Sequence, residues 1–324
     1  MLNQNKSVFV TGANGGLGKE TCKWLVEDGY GHLVMACRTD AKARQAREEV
    51  LQSNPPDPAK TGTTITAVGG FDMNSPAKIK DAVAALPRDQ KFDIIFLQAG
   101  GVIFAPDYQT VQLNGHSVEK TVSQNVLGGH ATLAFLRKYD LLAPGARVVV
   151  AGGEGARGIP GLIASPDFAS PQELRQYVTG DFSAAKAYNP MNAIGVSKLL
   201  SALWVLKLAE LERDNLSVIW FSPGLTYGTQ GLNGTSPLRR WFMQNIGFNI
   251  MRLLGKAQSP RNGARKYADC IAGIIGQNGD VIGAPEGTAL GKLVDQIPMN
   301  RAFSNKALRD EFWTITNEIY PWDL

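Results

Sequence analysis

The sequence predicts a doubly wound α/β fold, a mainly parallel sheet with helices on both faces. Three observations lead there. Short apolar runs alternate with segments of helical length, the runs are apolar almost continuously, and the first ends in a glycine-rich turn that opens a helix. Continuous apolarity is what a strand needs when both faces of its sheet are covered.

The elements follow in order. Ser7–Val10 is the first strand, and Lys19–Asp28 has helical spacing through Thr21, Trp24 and Leu25. His32–Ala36 is the second strand and Ala41–Gln52 an alanine-rich charged helix, broken by the proline-rich stretch Asn54–Pro58. Thr63–Val68 reads as a strand, Ser75–Ala85 as a helix, and Phe92–Leu97 as a buried strand bounded by Gly100 and Gly101. A long helix is expected over His116–Tyr139, a strand over Ala146–Val150, a second long helix over Met191–Glu212 and a strand over Leu216–Phe221. No repeat or linker interrupts the pattern, so residues 1–324 are expected to form one domain. Two segments exceed ordinary connections: 158–188, a candidate insertion, and 226–258, a candidate helical cap containing a basic amphipathic stretch near Trp241–Leu254. Both are plausible walls for a roomy apolar pocket. The amphipathic stretch would suit a cap over a cleft or a subunit interface, and a membrane surface less well because its basic residues are few.

Composition narrows the function. Hydrophobic residues make up 44% and charged residues 19%, which excludes disorder by charge excess. A net charge of +4 over 324 residues is no nucleic-acid signature. Cys22, Cys37 and Cys270 are too sparse for a disulfide framework, and with His32, His116 and His130 they lack metal-ligand spacing. With no apolar leader and no run of 18 apolar residues, a soluble cytoplasmic protein is expected.

The turn Thr11-Gly12-Ala13-Asn14-Gly15-Gly16-Leu17-Gly18 carries the strongest chemical signal. Gly12 suits a tight turn, Gly16 a close backbone approach to a pyrophosphate, and Gly18 close helix–strand packing. The helix that follows offers unpaired N–H groups and a positive dipole to phosphates. A carboxylate after the second strand would bind a ribose 2′-hydroxyl, but Cys37-Arg38-Thr39 stands there. Arg38 can pair with a 2′-phosphate, which favours NADP(H); the alternative is a solvated surface arginine.

TGANGGLG resembles the turn of the short-chain dehydrogenase/reductase family, and the resemblance extends along the chain. It implies a Rossmann-type fold, with Asp72 at the adenine, Ala99 and Gly100 of Gln98–Gly101 beside the adenosine, and Asn125 as a structural and proton-relay residue. Lys198 matches the lysine of the family's Tyr-x-x-x-Lys motif. Pro223 and Gly224 match the turn beside the nicotinamide, with Thr226 and Thr229 near the carboxamide. Met35–Arg38, Lys186–Tyr188, Pro223–Leu232 and Ala302–Ile319 look similar to the branch containing protochlorophyllide oxidoreductases and retinol dehydrogenases, which uses NADPH. The family's pairing through two long helices would make this chain a homo-oligomer.

The chemistry departs from that pattern. Four residues before Lys198 stands Ile194 where the family has its tyrosine, and Gly153 stands where it has its serine. General acid–base help is worth about 10²–10⁴ in rate, so ordinary ketone reduction should be very slow. Three readings remain. Tyr188 could move its hydroxyl into the vacated place, or simply be a packed loop tyrosine. The protein could bind NADP(H) without turnover, as a regulatory or scaffold protein. Or it could reduce a conjugated C=C, or isomerise, without a phenol. The leading expectation is an atypical NADP(H)-dependent reductase of a fairly large apolar carbonyl or conjugated C=C substrate. Lys198, Asn125 and Tyr188 are its candidate catalytic residues. Glu154 and Arg157, just past the missing serine, could face the active site, but a charged pair at a strand exit is more often a solvated loop, which is the expectation here.

Overall fold

The computed structural model describes residues 3–53, 62–180, 188–227 and 257–323. Its centre is an eight-stranded sheet. In chain order the elements are β1 (Ser7–Thr11), α1 (Gly16–Glu27), β2 (His32–Ala36), α2 (Asp40–Gln52), β3 (Thr64–Val68), α3 (Pro76–Ala84) and β4 (Phe92–Leu97). A hairpin follows, β5 (Thr110–Leu113) and β6 (His116–Glu119), then α4 (Gly128–Lys138), β7 (Leu142–Ala151), α5 (Pro171–Val178) and α6 (Pro190–Glu210). The chain closes with β8 (Ser217–Phe221), α7 (Pro260–Ile271), β9 (Val281–Gly283), β10 (Val294–Asp295) and α8 (Lys306–Ile319).

The sheet order is β10-β9-β8-β7-β4-β1-β2-β3. Every pairing from β3 to β9 is parallel, and only β10 runs antiparallel to its neighbour. This is the doubly wound α/β fold, with an apolar layer on each face of the sheet. One layer gathers side chains of α1, α2 and α7 around Val8, Val10, Phe96 and Phe221. The other gathers those of α3, α4, α6 and α8 around Phe9, Ile95, Val148 and Trp220. The order reverses between β1 and β4, and the carboxyl ends of the strands open a crevice there, where open α/β sheets bind ligands.

The expected long helix over His116–Tyr139 is wrong in its first part. His116–Glu119 pairs antiparallel with Thr110–Leu113, and Asn114 (φ 51°) with Gly115 (φ 86°) makes the two-residue turn. An α-helical turn (Lys120–Val122), a π-helical turn (Ser123–Leu127) and α4 then follow without a break. Glu119, fully buried, caps this start by accepting from the Val122 N–H at 2.6 Å.

The 158–188 segment holds α5, started by Pro171 after an N-cap in which Ser170 Oγ accepts from Glu173 N at 3.1 Å; residues 181–187 lie outside the described residues. The helix expected near Trp241–Leu254, and Thr229, also lie outside them. Helix α6 is long and apolar enough to cross a membrane, but most of its residues are buried. The sheet covers one side of it and α8 the other. There Trp204 donates to His130 Nδ1 at 3.1 Å, and the His130 ring also meets Trp313 and Trp322.

Candidate functional site

A cleft of about 540 Å³ lies along the carboxyl ends of β2, β1, β4 and β7. Its floor is the β1–α1 turn. Gly12 has φ +65°, and a Cβ there would sit 2.7 Å from Gln98 Oε1 and 2.8 Å from Ala99 Cα. A Cβ on Gly18 would strike the Gly12 carbonyl oxygen. Thr11 Oγ1 ties the turn to the end of β4, accepting from Gln98 N at 3.0 Å and Ala99 N at 3.1 Å. Gly15 is the N-cap of α1 and supplies no side-chain cap; the first turn carries no acid. The helix terminus therefore presents bare N–H donors and an uncompensated positive end. This cradle fits a dinucleotide pyrophosphate: glycines where a side chain would fill it, donors where an anion would lie.

At one end of the cleft stand Arg38 and Lys42, both exposed, with Phe71, Asp72 and Met73 opposite. Thr39 caps α2 by accepting from Lys42 N at 3.3 Å, which fixes both cations at the rim. Asp72 Oδ1 accepts from Asn74 N at 3.2 Å in a local turn. Lys42 was not singled out from the sequence; its place one turn into the helix after Arg38 was the available signal.

At the other end stand Ala151, Gly152, Ile194 and Lys198. Lys198 Nζ donates to the Ala151 carbonyl at 2.6 Å. Burial pushes its ammonium down to about 8, opposed by the Glu154 carboxylate. Ile194 lines the cleft, 9% exposed, on the same face of α6 as Lys198. Gly153 has an extended φ of 173°, and the nearest atoms to a Cβ there would be Lys198 Cγ, Cε and Cδ at 3.5–3.8 Å, ordinary contacts. Gly152 differs: a Cβ there would fall 2.6–2.7 Å from the Trp220 indole.

Of the residues singled out from the sequence, Gly12, Asn14, Gly16, Leu17, Arg38, Asp72, Ala99, Gly100 and Lys198 line this cleft together. Gly18 lies beneath it. Pro223, Gly224 and Thr226 make a separate turn, in which Gly224 has φ +90° and Thr226 Oγ1 donates to the Gly224 carbonyl at 3.2 Å. None of the three is among the lining residues.

Asn125 is engaged by backbone on every side. Its Oδ1 accepts from Gly101 N at 2.9 Å, and its Nδ2 donates to Gly101 O at 3.1 Å and Thr121 O at 2.9 Å. It clamps the Gly100–Gly101 turn to the π-helical turn.

Tyr188 also stands apart from the cleft lining. Its hydroxyl donates to Glu119 Oε1 at 3.4 Å and lies 3.3 Å from Thr121 Oγ1, with Tyr108 edge-on at 5.9 Å. Burial and the Glu119 carboxyl push this phenol up to about 12, opposite to the shift an activated tyrosine needs.

Glu154 and Arg157 do not form the expected solvated loop; both are buried. Glu154 Oε1 accepts from Ser222 Oγ at 2.7 Å and Ala284 N at 3.1 Å. Arg157 donates to the carbonyls of Pro285 (2.8 Å) and Thr288 (2.6 Å) and to Gln296 Oε1 (2.9 Å). The pair pins the exit of β7 to the β9–β10 region, and the polar groups each satisfies are why burial is tolerated.

Residues 6–164 match the family described as short chain dehydrogenase. That match spans 159 of the 324 residues, just under half of the chain. Short chain dehydrogenase sol3 of Alternaria solani is 25% identical over 76% of this chain and 83% of its own. Short chain dehydrogenase/reductase mfmJ of Annulohypoxylon moriforme is 27% identical over 82% and 72%. Protochlorophyllide reductase of Avena sativa is 32% identical, but over only 45% of this chain and 44% of its own. The similarity to that branch is therefore partial, whereas the matches to short chain dehydrogenases extend much further. Among solved structures, a short-chain type dehydrogenase/reductase from Mycobacterium ulcerans superposes with a TM-score of 0.59 at 18% identity, covering 95% of this chain and 98% of its own. An actinorhodin polyketide ketoreductase solved with NADPH gives 0.54 at 18% identity, covering 84% and 92%. At such identities these structures bear on the fold.

Proposed function

We propose that this chain is a short-chain dehydrogenase that binds NADP(H) in the cleft and reduces an apolar carbonyl or conjugated C=C substrate. The observation that carries the reading is the cleft itself: an uncapped helix terminus over a glycine floor, with two cations at one end and a half-buried lysine at the other. Gly15–Leu17 would face the pyrophosphate, Arg38 and Lys42 a 2′-phosphate, and Lys198 the nicotinamide ribose. The bound dinucleotide would supply hydride. The chain's own residues would orient it, and Ile194 and Gly153 present no hydroxyl to a substrate oxygen. This favours a substrate whose protonation can come from solvent.

A second reading, a dinucleotide-binding protein without turnover, is favoured by the same two positions. Calorimetric titration with NADPH and NADH tests the cofactor, and NADPH consumption over quinones, enones and aldehydes separates the two readings. Arg38→Ala should weaken NADPH binding about tenfold, the lower end for a charge-assisted hydrogen bond, because Arg38 is exposed. NADH binding should not change. A wild-type protein that binds neither nucleotide defeats both readings.

A further inference from the structure

Tyr267 played no part in reading the sequence, yet it lines the cleft. It projects from α7 into the layer between that helix and the sheet and is 2% exposed. Its ring packs against Phe96 of β4 at 4.7 Å and Phe221 of β8 at 5.4 Å. Those strands flank β7 in the sheet, so the ring straddles the end of β7, on the sheet face that also carries α1. This places it between the bare terminus of α1 and the Ala151–Gly152 wall, well away from Arg38 at the end of β2.

The hydroxyl makes no hydrogen bond with any described residue. The side chain nevertheless borders the cleft beside Ala151, Gly152 and Lys198. A phenol held in an aromatic cage at the wall of a cleft, with its one polar atom unmatched among the described residues, is a donor available to a ligand. Burial and the Glu154 carboxylate push its ionisation upward, so it remains a neutral donor.

We propose that the Tyr267 hydroxyl donates a hydrogen bond to the nicotinamide mononucleotide half of the dinucleotide, as a binding residue of the cleft. This rests on the dinucleotide reading of the preceding section. Tyr267→Phe tests it by removing only the oxygen and keeping the ring between Phe96 and Phe221. Two probes are titrated into wild type and variant: NADPH, and adenosine 2′,5′-bisphosphate, which lacks the nicotinamide half. The variant should bind NADPH about three- to tenfold more weakly, the range of one neutral hydrogen bond, and bind the bisphosphate as wild type does. Equal NADPH affinity in the two proteins overturns the proposal while leaving the dinucleotide reading intact. Equal weakening toward both probes also overturns it, because the substitution would then have loosened the whole cleft. A wild type that binds neither probe overturns the dinucleotide reading, and this proposal with it.

Discussion

Placing hydroxyls at positions 153 and 194 should raise the reduction of simple ketones and aldehydes above that of the native chain. The perturbation is Gly153→Ser with Ile194→Tyr. Backbone geometry permits the first: φ at 153 is extended, and the nearest atom to a new Cβ is Lys198 Cγ at 3.5 Å. The second replaces a side chain that already faces the cleft one helical turn before Lys198. A tyrosine there would stand beside an ammonium whose ionisation is pushed down to about 8, so at pH 7 the lysine is mostly charged and lowers the phenol's own pKa. An oriented acid contributes about 10²–10⁴ in rate, or roughly 3–5 kcal/mol of barrier. NADPH consumption on simple ketones and aldehydes is the assay, with each single variant as control. The gain should appear in the double variant and decline above about pH 8 as Lys198 loses its proton. A double variant that binds NADPH as wild type does, yet reduces ketones no faster, would refute the reasoning that these two positions limit the rate.

Two further predictions concern stability and assembly. His130 is fully buried, accepts from Trp204 at Nδ1 and lies 2.7 Å from the Tyr320 carbonyl at Nε2, and burial pushes it down to about 4. Above about pH 6.5 it is neutral in both folded and unfolded chains. Between there and about pH 4 only the unfolded chain takes up the proton, so stability falls with pH by about 3 kcal/mol. Urea midpoints at pH 7 and pH 4.5 should diverge more in wild type than in His130→Gln, and identical shifts would count against the assignment. For assembly, α8 and Trp322 already cover the groove between α4 and α6. The chain should therefore not dimerise through those helices, and light scattering that shows a dimer disrupted by substitutions on them would contradict this.

What the sequence disclosed follows the range of the interactions involved. The floor of the cleft was legible because the need for glycine at 12 and 18 is local, set by a turn and by the helix it opens. The same holds for Arg38, which lies just after a strand whose end is fixed by its apolar run. The β5–β6 hairpin was missed although Asn114-Gly115 is a strong hairpin signal, because the next residues continue into a true helix and their apolar positions blur the two periods. Tyr188 looked close to Lys198 along the chain. But Asn189 caps α6, accepting from Met191 N at 2.8 Å, and the residue before that cap is turned toward Glu119 instead. Tyr267 was not legible at all, since its position depends on β4, β8 and α7 converging from distant parts of the chain.

The two glycines after β7 show why a sequence departure needs packing to interpret it. Side by side in the sequence they look alike. In the structure they have different causes. Gly152 is required, because the Trp220 indole, held by its hydrogen bond to Ser201 Oγ at 2.8 Å, occupies the space a Cβ would need. Gly153 is not required by anything around it: the backbone is extended and the neighbouring space admits a side chain. Packing accounts for the first position and leaves the second free. Gly153→Ser therefore reports on the chemistry beside Lys198, whereas a side chain at 152 would first disturb the packing of Trp220.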